Sequence, residues 1–274
     1  MSADFRSAVA EPLAGSFPAL WFVYKRQRLL TKVEDRKAIL PSSDVLDNLN
    51  LNLLRNQYLG ILDGMHCYSA EVSEDTEAPD GWSFQGLRRL YGMMDEGIFG
   101  VAGRAVQIVD WDRTHQYCGR CGALTRNHPR DRAKECSSCG LISYPRISPA
   151  IIVLVRKDDC LLLARAHRHP PGFYSILAGF VEPGETLEEA VAREIREEVG
   201  IEVKDIQYFG SQPWPFPNSL MVAFTCHYAG GDIVLEEEEL EAAGWFTADK
   251  LPPCPPKISI ARQLIDWFVV GQTG

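Results

Sequence analysis

The sequence predicts an α/β protein in which a four-cysteine zinc ribbon separates an N-terminal globular region from a C-terminal α/β domain. Three observations support this fold class. From residue 148 onward, short apolar runs alternate with turn signals and lead into an amphipathic helix near residue 187. Two C-x2-C pairs with the spacing of a zinc ribbon lie upstream of these runs. The N-terminal region combines short strand signals with frequent glycines.

The N-terminal region is predicted to span residues 1–109 and to be globular. Apolar runs at 20–24 and 37–40 indicate short strands, and residues 71–80 indicate an acidic, polar loop. Glycines interrupt the stretch that follows, at Gly81, Gly86, Gly92 and Gly97. Because no catalytic motif precedes residue 110, we expect the chemistry to lie further along the chain.

A second domain, residues 110–146, contains the ribbon pattern. Its ligands are predicted to be Cys118, Cys121, Cys136 and Cys139, which form two C-x2-C pairs separated by fourteen residues. Four thiolates leave no open coordination position, so the zinc is expected to be structural, with one ion per chain. Redox-active dithiols are the alternative interpretation. The other four cysteines lack this spacing and are expected to be buried or free thiols: Cys67, Cys160, Cys226 and Cys254.

The ribbon is also a basic segment in a chain whose net charge is −9. Its basic residues are Arg113, His115, Arg120, Arg126, His128, Arg130, Arg132 and Lys134. Zinc ribbons bind nucleic acid or bridge domains, and the sequence leaves both roles open. The overall acidity argues against broad nonspecific nucleic-acid binding. No stretch reaches the roughly 18 apolar residues of a membrane helix, and no secretory signal is visible, so a cytoplasmic protein without membrane contacts is expected.

The third domain, residues 147–274, has an α/β pattern. Apolar runs at 150–155 and 160–164 flank a turn and predict a hairpin. A strand over 174–181 is predicted to deliver the chain to the amphipathic helix. The remaining predicted elements are strands near 206–209, 220–228 and 244–246 and a closing helix over 258–270.

The amphipathic helix carries carboxylates where an apolar face is expected. Its apolar stripe consists of Leu187, Val191, Ile195 and Val199, and Ala190 widens it. Glu194 and Glu198 fall within the angular range of this stripe, and Glu197 flanks it. Buried carboxylates are costly unless they are paired or bound to cations. With Glu185 just ahead of the helix, the cluster predicts a divalent-metal site for a phosphate substrate, whereas a solvated acidic helix is the alternative.

The residues around these acids have mechanical roles of their own. Gly179 and Gly184 are expected to allow tight backbone turns before the helix. Thr186 is placed to cap the helix, with Glu189 completing a capping box. Gly200 is expected to end the helix.

A proline-rich segment, Ser211 to Ser219 with the sequence SQPWPFPNS, is the second informative feature of this domain. Three prolines alternating with two aromatic residues predict a stiff loop that does not join a sheet. The segment is either an aromatic-anchored crossing loop or a wall for a flat ring, with hydrogen bonds from Gln212 and Ser219. Composition does not distinguish the two.

The segment from residue 179 to 201 resembles the Nudix box. The matching residues are Gly179, Glu185, Arg193, Glu194, Ile195, Glu197, Glu198, Gly200 and Ile201. Together with the ribbon and the SQPWPFPxS segment, the chain resembles the NADH pyrophosphatase subfamily of Nudix hydrolases, which also removes NAD caps from RNA. This resemblance implies a Nudix α/β/α sandwich, an N-terminal Nudix-like α+β domain and a homodimer.

The resemblance also assigns site residues. It implies two or more Mg²⁺ or Mn²⁺ ions on the side chains of Glu194, Glu198 and Glu239 and on the backbone carbonyl of Ala178. Glu185 and Glu197 join Glu194 and Glu198 as the catalytic carboxylates, and the resemblance does not identify the general base. Substrate-binding positions are Arg89, which reaches across the dimer, Tyr144, Phe180, Gln212, Pro213, Trp214, Pro215, Phe216, Pro217, Asn218, Ser219 and Ala261.

The reaction that the resemblance implies is hydrolysis of NAD(H) to AMP and nicotinamide mononucleotide. Removal of NAD caps from RNA, leaving a 5′-monophosphate, uses the same chemistry. An ADP-ribose hydrolase is a competing enzyme class that the SQPWPFP segment disfavours. A noncatalytic sensor or a nucleic-acid-binding ribbon protein is a further alternative, but such a protein would tend to lose the costly carboxylates, which are all present here.

Overall fold

The computed structural model describes residues 4–10 and 18–272, and the chain divides into two compact units, Met1–Arg146 and Ile147–Gly274. No helix within the described residues is long and apolar enough to cross a membrane.

The first unit is built on a mixed sheet with the strand order β1-β5-β6-β2-β3-β4, and β7 pairs with β3. Its strands are β1 (Phe5–Ser7), β2 (Ala19–Lys25), β3 (Arg28–Glu34), β4 (Lys37–Ile39), β5 (Leu53–Leu62), β6 (Met65–Val72) and β7 (Ser83–Gly86). Its helices are α1 (Ser43–Asn48) and α2 (Glu96–Thr114), and Leu87–Leu90 form a 3₁₀ turn. The strands predicted at 20–24 and 37–40 are confirmed as β2 and β4.

The two helices of this unit pack on opposite faces of the sheet. Val23 on β2 packs in one cluster with Leu46 of α1. The next residue, Tyr24, is fully buried, and its hydroxyl donates a hydrogen bond of 2.8 Å to the carbonyl of Ala102 in α2. Because successive residues of a strand face opposite sides of a sheet, these contacts place α1 and α2 on different faces.

The zinc ribbon belongs to the same compact unit. It contains a small sheet of strands β8 (Thr125–Asn127), β9 (Lys134–Cys136) and β10 (Ile142–Ser143). The boundary predicted between residues 109 and 110 falls inside α2, which ends at Thr114. A buried ion pair links the ribbon to that helix, with Lys134 Nζ 2.7 Å from Asp112 Oδ1. Gln57 of β5 donates to the other oxygen of Asp112, so strand, helix and ribbon share one polar network.

The second unit has the strand order β14-β15-β11-β12-β16, and β13 pairs with β11. Its strands are β11 (Ser148–Lys157), β12 (Cys160–Ala166), β13 (Leu177–Phe180), β14 (Glu202–Trp214), β15 (Ser219–Gly230) and β16 (Leu240–Thr247). Its helices are α3 (Leu187–Val199) and α4 (Ile260–Gln272), and Ala248–Lys250 form a 3₁₀ turn. The predicted hairpin is confirmed, because β11 and β12 pair antiparallel across the turn.

Alternate residues of β11 explain why its sequence is continuously apolar. Ile151 and Val153 pack in a cluster with Val191 and Ile195 of α3. Ile152 and Leu154 pack in a second cluster that contains the buried face of α4. A strand buried on both faces needs apolar residues at every position. The predicted α/β/α sandwich is therefore confirmed.

Both units share one topology. Each has a parallel strand pair, β2 with β6 and β11 with β15. In each unit, the segment just before the helix pairs with the first strand of that parallel pair. Before α1, the carbonyl of Pro41 accepts a hydrogen bond from the amide of Trp21 in β2, and before α3, β13 pairs with β11. The helices differ, because α1 has only six residues and α3 has thirteen and carries the acidic cluster.

Two sequence-based predictions are wrong. Residues 211–214 of the proline-rich segment are part of β14 and pair with β15, and a turn occupies only 215–218. Pro213 is tolerated within β14 because β14 is the edge strand of its sheet, and the other two prolines lie in the turn. The acidic stretch 71–80 is also not a loop throughout, since Glu71 and Val72 end β6 and are buried.

Candidate active site and zinc centre

The four predicted zinc ligands lie together. The sulfur atoms of Cys118, Cys121, Cys136 and Cys139 all lie within 4.8 Å of one another. The Sγ atoms of Cys118 and Cys139 are 3.6 Å apart, and those of Cys121 and Cys136 are 3.5 Å apart. In a tetrahedron with Zn–S bonds of about 2.3 Å the sulfurs are roughly 3.8 Å apart, so the cluster fits a structural zinc ion.

Backbone amides around the cluster favour the thiolate form that zinc requires. The amides of Cys139 and Ser138 donate to the sulfur of Cys136 and lower the pKa of this thiol to about 6. The amide of Arg120 likewise donates to the sulfur of Cys118 and lowers its pKa. The thiolate form is therefore favoured at Cys118 and Cys136. In contrast, hydrogen bonds with the neighbouring thiols of Cys136 and Cys139 raise the pKa of Cys121 to about 11, so zinc binding must displace the proton of that thiol.

Most basic side chains of the ribbon have partners within the same unit. Arg126 pairs with Glu135, and the half-buried guanidinium of Arg132 donates to the carbonyls of Tyr58 and Ala8. Lys134 is buried against Asp112. Of the eight basic residues of the predicted island, Arg120 and Arg130 are exposed, and their side chains form no ion pair or hydrogen bond with residues 4–10 or 18–272. The apparent basic surface is therefore much smaller than the sequence suggests.

The acidic helix α3 begins and ends as predicted. The hydroxyl of Thr186 accepts a hydrogen bond from the amide of Glu189, and the Glu189 carboxylate accepts one from the amide of Thr186. Gly200 ends the helix in the left-handed region with φ of 72°. Gly184 has φ of 96°, which supports the predicted turn before the helix. These features fix the helix in the position from which its acids project.

Arg193 organises the loop ahead of the helix. Its guanidinium contacts both oxygens of the Glu185 carboxylate, at 2.6 and 3.0 Å, and also bonds Glu194 and Glu197. A further hydrogen bond of 3.0 Å reaches the carbonyl of Phe180. The hydrogen bonds from Arg193 lower the pKa of Glu185 to about 2. Glu185 and Arg193 therefore form a stable link between the loop and the helix.

Glu198 is the most unusual acid of the cluster. It is only 8% exposed, on a helix whose buried face otherwise carries aliphatic residues such as Val191, Ile195 and Val199. Burial, together with the charges of Glu194 and Glu239, raises the pKa of Glu198 to about 8. Burial also raises the pKa of Glu194. A carboxylate kept out of water beside two other acids, without a direct ion pair among the described residues, fits the oxygen ligand set of a divalent cation.

This burial predicts how stability depends on pH in protein freed of Mg²⁺ and Mn²⁺ with its zinc retained. Because the folded protein holds the Glu198 proton up to pH 8 while an unfolded chain releases it near 4.5, the folded state binds more protons between these values. The free energy of unfolding should therefore fall as the pH rises from about 5 to 8. We expect Glu198→Gln to be more stable than the wild type at pH 8, by on the order of a few kcal/mol, and about equally stable at pH 5. Urea denaturation at both pH values measures this, and equal stability at pH 8 would contradict it.

Gly179 is needed for a reason different from the predicted turn. It lies within β13 without a positive φ, and a Cβ atom there would lie 1.9 Å from the carboxyl carbon of Glu194. The Glu194 carboxylate therefore occupies the space that a side chain at residue 179 would fill.

We expect Gly179→Ala to reduce the catalytic efficiency by about two orders of magnitude while the protein stays folded, since a displacement of about 1 Å at a reacting site has this effect. Gly230→Ala is the matched control because nothing lies within 4 Å of its added Cβ. Steady-state kinetics and circular dichroism of both variants test the expectation. An active Gly179→Ala protein would show that Glu194 need not hold this position.

The other predicted metal ligands lie near this cluster. Glu239 is exposed on the segment before β16, and its charge acts on both Glu194 and Glu198. Ala178 lies in β13, beside Gly179. Within the described residues, the four cysteines are the one group of three or more His, Cys, Asp or Glu side chains whose ligand atoms all lie within 4.8 Å of one another. The carboxylates of the acidic cluster are therefore more widely spaced than the thiolates of the ribbon.

The predicted substrate residues of the second unit fall into two groups. Trp214 and Phe216 pack edge to face at the tip of the β14–β15 hairpin, with ring centroids 5.1 Å apart. Gln212 uses both ends of its amide on the backbone at the start of α4, bonding Ile258 and Ile260 at 2.8 Å each. The hydrogen bonds that we predicted for a ligand are thus made within the protein at Gln212, and they tie β14 to the start of α4. The remaining predicted positions on the hairpin are Pro213, Pro215, Pro217, Asn218 and Ser219.

The accessibility of the predicted substrate residues differs widely. Ser219 and Ala261 are buried, whereas Phe180 at the end of β13 is 60% exposed. Tyr144 follows β10 in the first unit and is 59% exposed, and Arg89 is exposed in the 3₁₀ turn after β7.

One charged residue near the acids is absent from the sequence-based prediction. Arg168, on the loop between β12 and β13, exerts its positive charge on Glu198 and partly opposes the rise in the pKa of that acid. Arg168 belongs to no motif in the sequence. Its proximity to Glu198 arises only from the fold, so the sequence could not predict it.

Comparison with known proteins agrees with this architecture. Residues 145–268 match the family profile of the NUDIX domain, residues 18–111 that of the NADH pyrophosphatase-like rudimentary NUDIX domain, and residues 113–144 that of the NADH pyrophosphatase zinc ribbon domain. A crystal structure of a NUDIX hydrolase from Nitrosomonas europaea is 21% identical, with a TM-score of 0.50, and covers 58% of this chain and 93% of that chain. This likeness supports the fold.

Curated relatives match over most of the chain. A protein of Stutzerimonas stutzeri named NAD-capped RNA hydrolase NudC is 44% identical over 100% of this chain and 97% of its own length. Proteins of the same name from Pseudomonas fluorescens and Deinococcus radiodurans are 48% and 54% identical, over 88% and 69% of this chain and 87% and 69% of their own lengths. The chain therefore belongs to the Nudix hydrolase family, in the subfamily of NADH pyrophosphatases and NAD-capped RNA hydrolases.

Proposed function

We propose that this protein is a metal-dependent hydrolase that cleaves the pyrophosphate bond of NAD(H), giving AMP and nicotinamide mononucleotide. The same cleavage removes NAD caps from RNA 5′ ends and leaves 5′-monophosphate RNA. The relatives named NAD-capped RNA hydrolase, which match over 88% and 100% of this chain, support this substrate class.

The observation that carries the proposal is the buried carboxylate of Glu198 beside Glu194 and Glu239. Three acids that repel one another destabilise the fold unless a cation joins them. We propose that the side chains of Glu194, Glu198 and Glu239 and the backbone carbonyl of Ala178 hold Mg²⁺ or Mn²⁺. When bound, such ions neutralise pyrophosphate oxygens and activate water at neutral pH.

The protein supplies the remaining steps through its own carboxylates. Glu198 is the first candidate for the base that orients the attacking water, and another carboxylate of the cluster is the alternative, because clustered acids act as a group. Glu185 acts as a positioning residue, since both of its oxygens bond Arg193 and one also accepts the amide of Glu182. This link holds the loop and its Phe180 carbonyl in place during turnover.

The flat rings of the substrate have candidate contacts on the second unit. We propose that Trp214 and Phe216 at the hairpin tip stack against a ring, with Phe180 as a further exposed aromatic surface. Gln212 acts by holding the start of α4, where Ala261 lies. Tyr144 and Arg89 of the first unit remain proposed substrate contacts, and Arg89 would act across a homodimer.

Product analysis tests the proposed reaction. Purified protein is incubated with NADH, NAD, ADP-ribose and NAD-capped RNA, with Mg²⁺, with Mn²⁺ and without either ion. The proposal expects AMP and nicotinamide mononucleotide, or 5′-monophosphate RNA, only when a divalent ion is present. Binding of NADH without turnover under every condition would leave a Nudix-fold sensor instead, and turnover of ADP-ribose alone would move the protein to another substrate class.

Two further parts of the proposal concern assembly and location. We propose a homodimer, which sedimentation equilibrium tests by the mass of the particle in solution. We propose a cytoplasmic location, which fractionation of the source cells tests. A contribution of Arg120 and Arg130 to RNA binding would appear as a salt dependence with capped RNA that is absent with free NADH.

A further inference from the structure

The loop between β12 and β13 is attached to the segment that carries Glu239. At its base, Ala164 and Ser175 exchange two backbone hydrogen bonds of 2.8 and 2.9 Å. Further along, the amide of His167 donates to the carbonyl of Glu239 at 3.4 Å, and His167 Nε2 lies 2.9 Å from the carbonyl of Glu237. The residue after His167 is Arg168, so its backbone is held beside a proposed metal ligand.

Arg168 differs from the other arginines of the second unit. Among residues 147–272, each of the other five arginines has a charged or aromatic partner. Four form ion pairs: Arg165 with Glu241, Arg193 with Glu185 and the acids of α3, Arg196 with Glu202, and Arg262 with Asp266. The fifth, Arg156, lies against the rings of Trp267 and Phe268. Within the same described range, the exposed Arg168 has neither an ion pair within 4 Å nor a cation–π contact. Its guanidinium group is therefore available to a ligand.

The charge of Arg168 nevertheless reaches the acidic cluster. It lowers the pKa of Glu198 against the larger effect of burial, so the guanidinium lies close enough to act on this carboxylate without bonding it. A free guanidinium beside acids that bind divalent ions is at the place where a pyrophosphate must lie. Its planar group of donors matches the paired oxygens of a phosphate better than a lysine ammonium does.

We propose that Arg168 binds the pyrophosphate of the substrate through oxygens that the divalent ions leave free. Arg168 is then a substrate-binding residue of the reaction, and this assignment rests on the function proposed above. The hydrogen bonds of His167 to the carbonyls of Glu239 and Glu237 hold the backbone next to Arg168 beside the proposed metal ligand Glu239.

Kinetics and direct binding test this role in Arg168→Gln, Arg168→Lys and a matched control, Arg196→Gln. Arg196 loses the same charge in the same unit but pairs with Glu202 on the surface. We expect Arg168→Gln to lower kcat/KM for NADH by roughly 10- to 100-fold, the range for a charge-assisted hydrogen bond, with a smaller loss in Arg168→Lys. The control should keep the kinetics of the wild type.

Calorimetry with AMP and nicotinamide mononucleotide in the presence of Mn²⁺ provides a measurement independent of turnover. At least one of the two should bind Arg168→Gln at least tenfold more weakly, whereas adenosine and nicotinamide riboside, which lack the phosphate, should bind as they do to the wild type. Unchanged binding of both phosphates would overturn the proposal. So would a kinetic loss that consists only of a shift in the acidic limb of the pH profile, since that result would mean that Arg168 acts solely through Glu198.

These measurements also separate the inference from the function on which it rests. An inactive wild type that still binds AMP through Arg168 would contradict the proposed hydrolysis and support the phosphate contact. An active wild type with an equally active Arg168→Gln variant would support the hydrolysis and overturn the contact.

Discussion

Replacing Glu198 by glutamine is expected to lower kcat for NADH by roughly three orders of magnitude or more while the protein stays folded. Glutamine keeps the size of the side chain but removes the charge, so it is a poor ligand for a divalent ion. The stabilisation of transition-state charge by such an ion amounts to several kcal/mol, and each 1.4 kcal/mol or so changes the rate tenfold. Glu198 is the most buried acid of the site, and water cannot readily replace it.

The folded state should tolerate this change. In the absence of a cation, burial opposes ionisation of Glu198, so a neutral amide suits its surroundings at least as well. Measurements of kcat with saturating Mn²⁺, circular dichroism and the amount of Mn²⁺ bound therefore separate loss of the metal site from loss of structure. We expect less bound Mn²⁺, an unchanged spectrum and nearly absent turnover.

Glu188→Gln is the matched control for this experiment. Glu188 lies in the first turn of the same helix, is exposed, and loses the same charge on substitution. Its turnover should stay within about twofold of the wild type, because an exposed surface charge contributes little. If Glu198→Gln also retained near-normal turnover, the metal would have to be held by other groups, and the assignment of Glu198 would be wrong.

Helix α3 could be predicted because its signals are local. The i+4 spacing of Val191, Ile195 and Val199, the capping residue Thr186 and the terminating Gly200 all lie within one segment. The two carboxylates within the apolar stripe predicted a site because their positions conflict with the burial of the helix. Burial of Glu198 in the structure confirms that this conflict is real.

Helix α2 escaped prediction because its stability comes from tertiary contacts. Gly97, Gly100 and Gly103 appear as breaks in a linear reading, since glycine is unfavourable in an isolated helix. In the folded unit, Gly103 and its neighbours Ala102 and Ala105 are buried, and the helix packs closely on the sheet. These small residues lower the stability of α2 as an isolated helix, but they permit its close packing on the sheet.

Charge pairing is likewise invisible in the linear sequence. Lys134 appeared to belong to a basic surface, but its partner Asp112 lies in α2. Glu71 appeared to be part of an acidic loop, but it is buried and pairs with Arg55 and Arg113. Composition shows how many charges a segment has, and only the fold shows which of them face a ligand.

Replacing Cys136 by serine is expected to abolish zinc binding and to lower the stability of the first unit by several kcal/mol. Structural zinc sites contribute about 10–16 kcal/mol of apparent binding free energy in small zinc domains, which is as large as the stability of many whole domains. The ribbon strands β8 to β10 are too short to form a core of their own. Without the ion we expect them to unfold.

Zinc content and hydrogen exchange measure this effect. The wild type should carry one zinc per chain and show protected amides in β9, whereas Cys136→Ser should carry none and lose that protection. Cys160→Ser is the control, because Cys160 is a half-buried cysteine of β12 outside the cluster. A Cys136→Ser protein with full protection in β9 would show that the ribbon folds without its metal.

The loss is expected to extend beyond the ribbon because of the buried pair between Lys134 and Asp112. Unfolding of β9 removes Lys134, and the carboxylate of Asp112, only 5% exposed on its side chain, keeps hydrogen bonds from Gln57 and Gln116 but no cation. Removing one partner of a buried ion pair costs about 3–5 kcal/mol. Exchange in α2 should therefore accelerate along with exchange in β9. A zinc-free variant that lost protection in β9 alone would show instead that the first unit holds α2 without help from the ribbon.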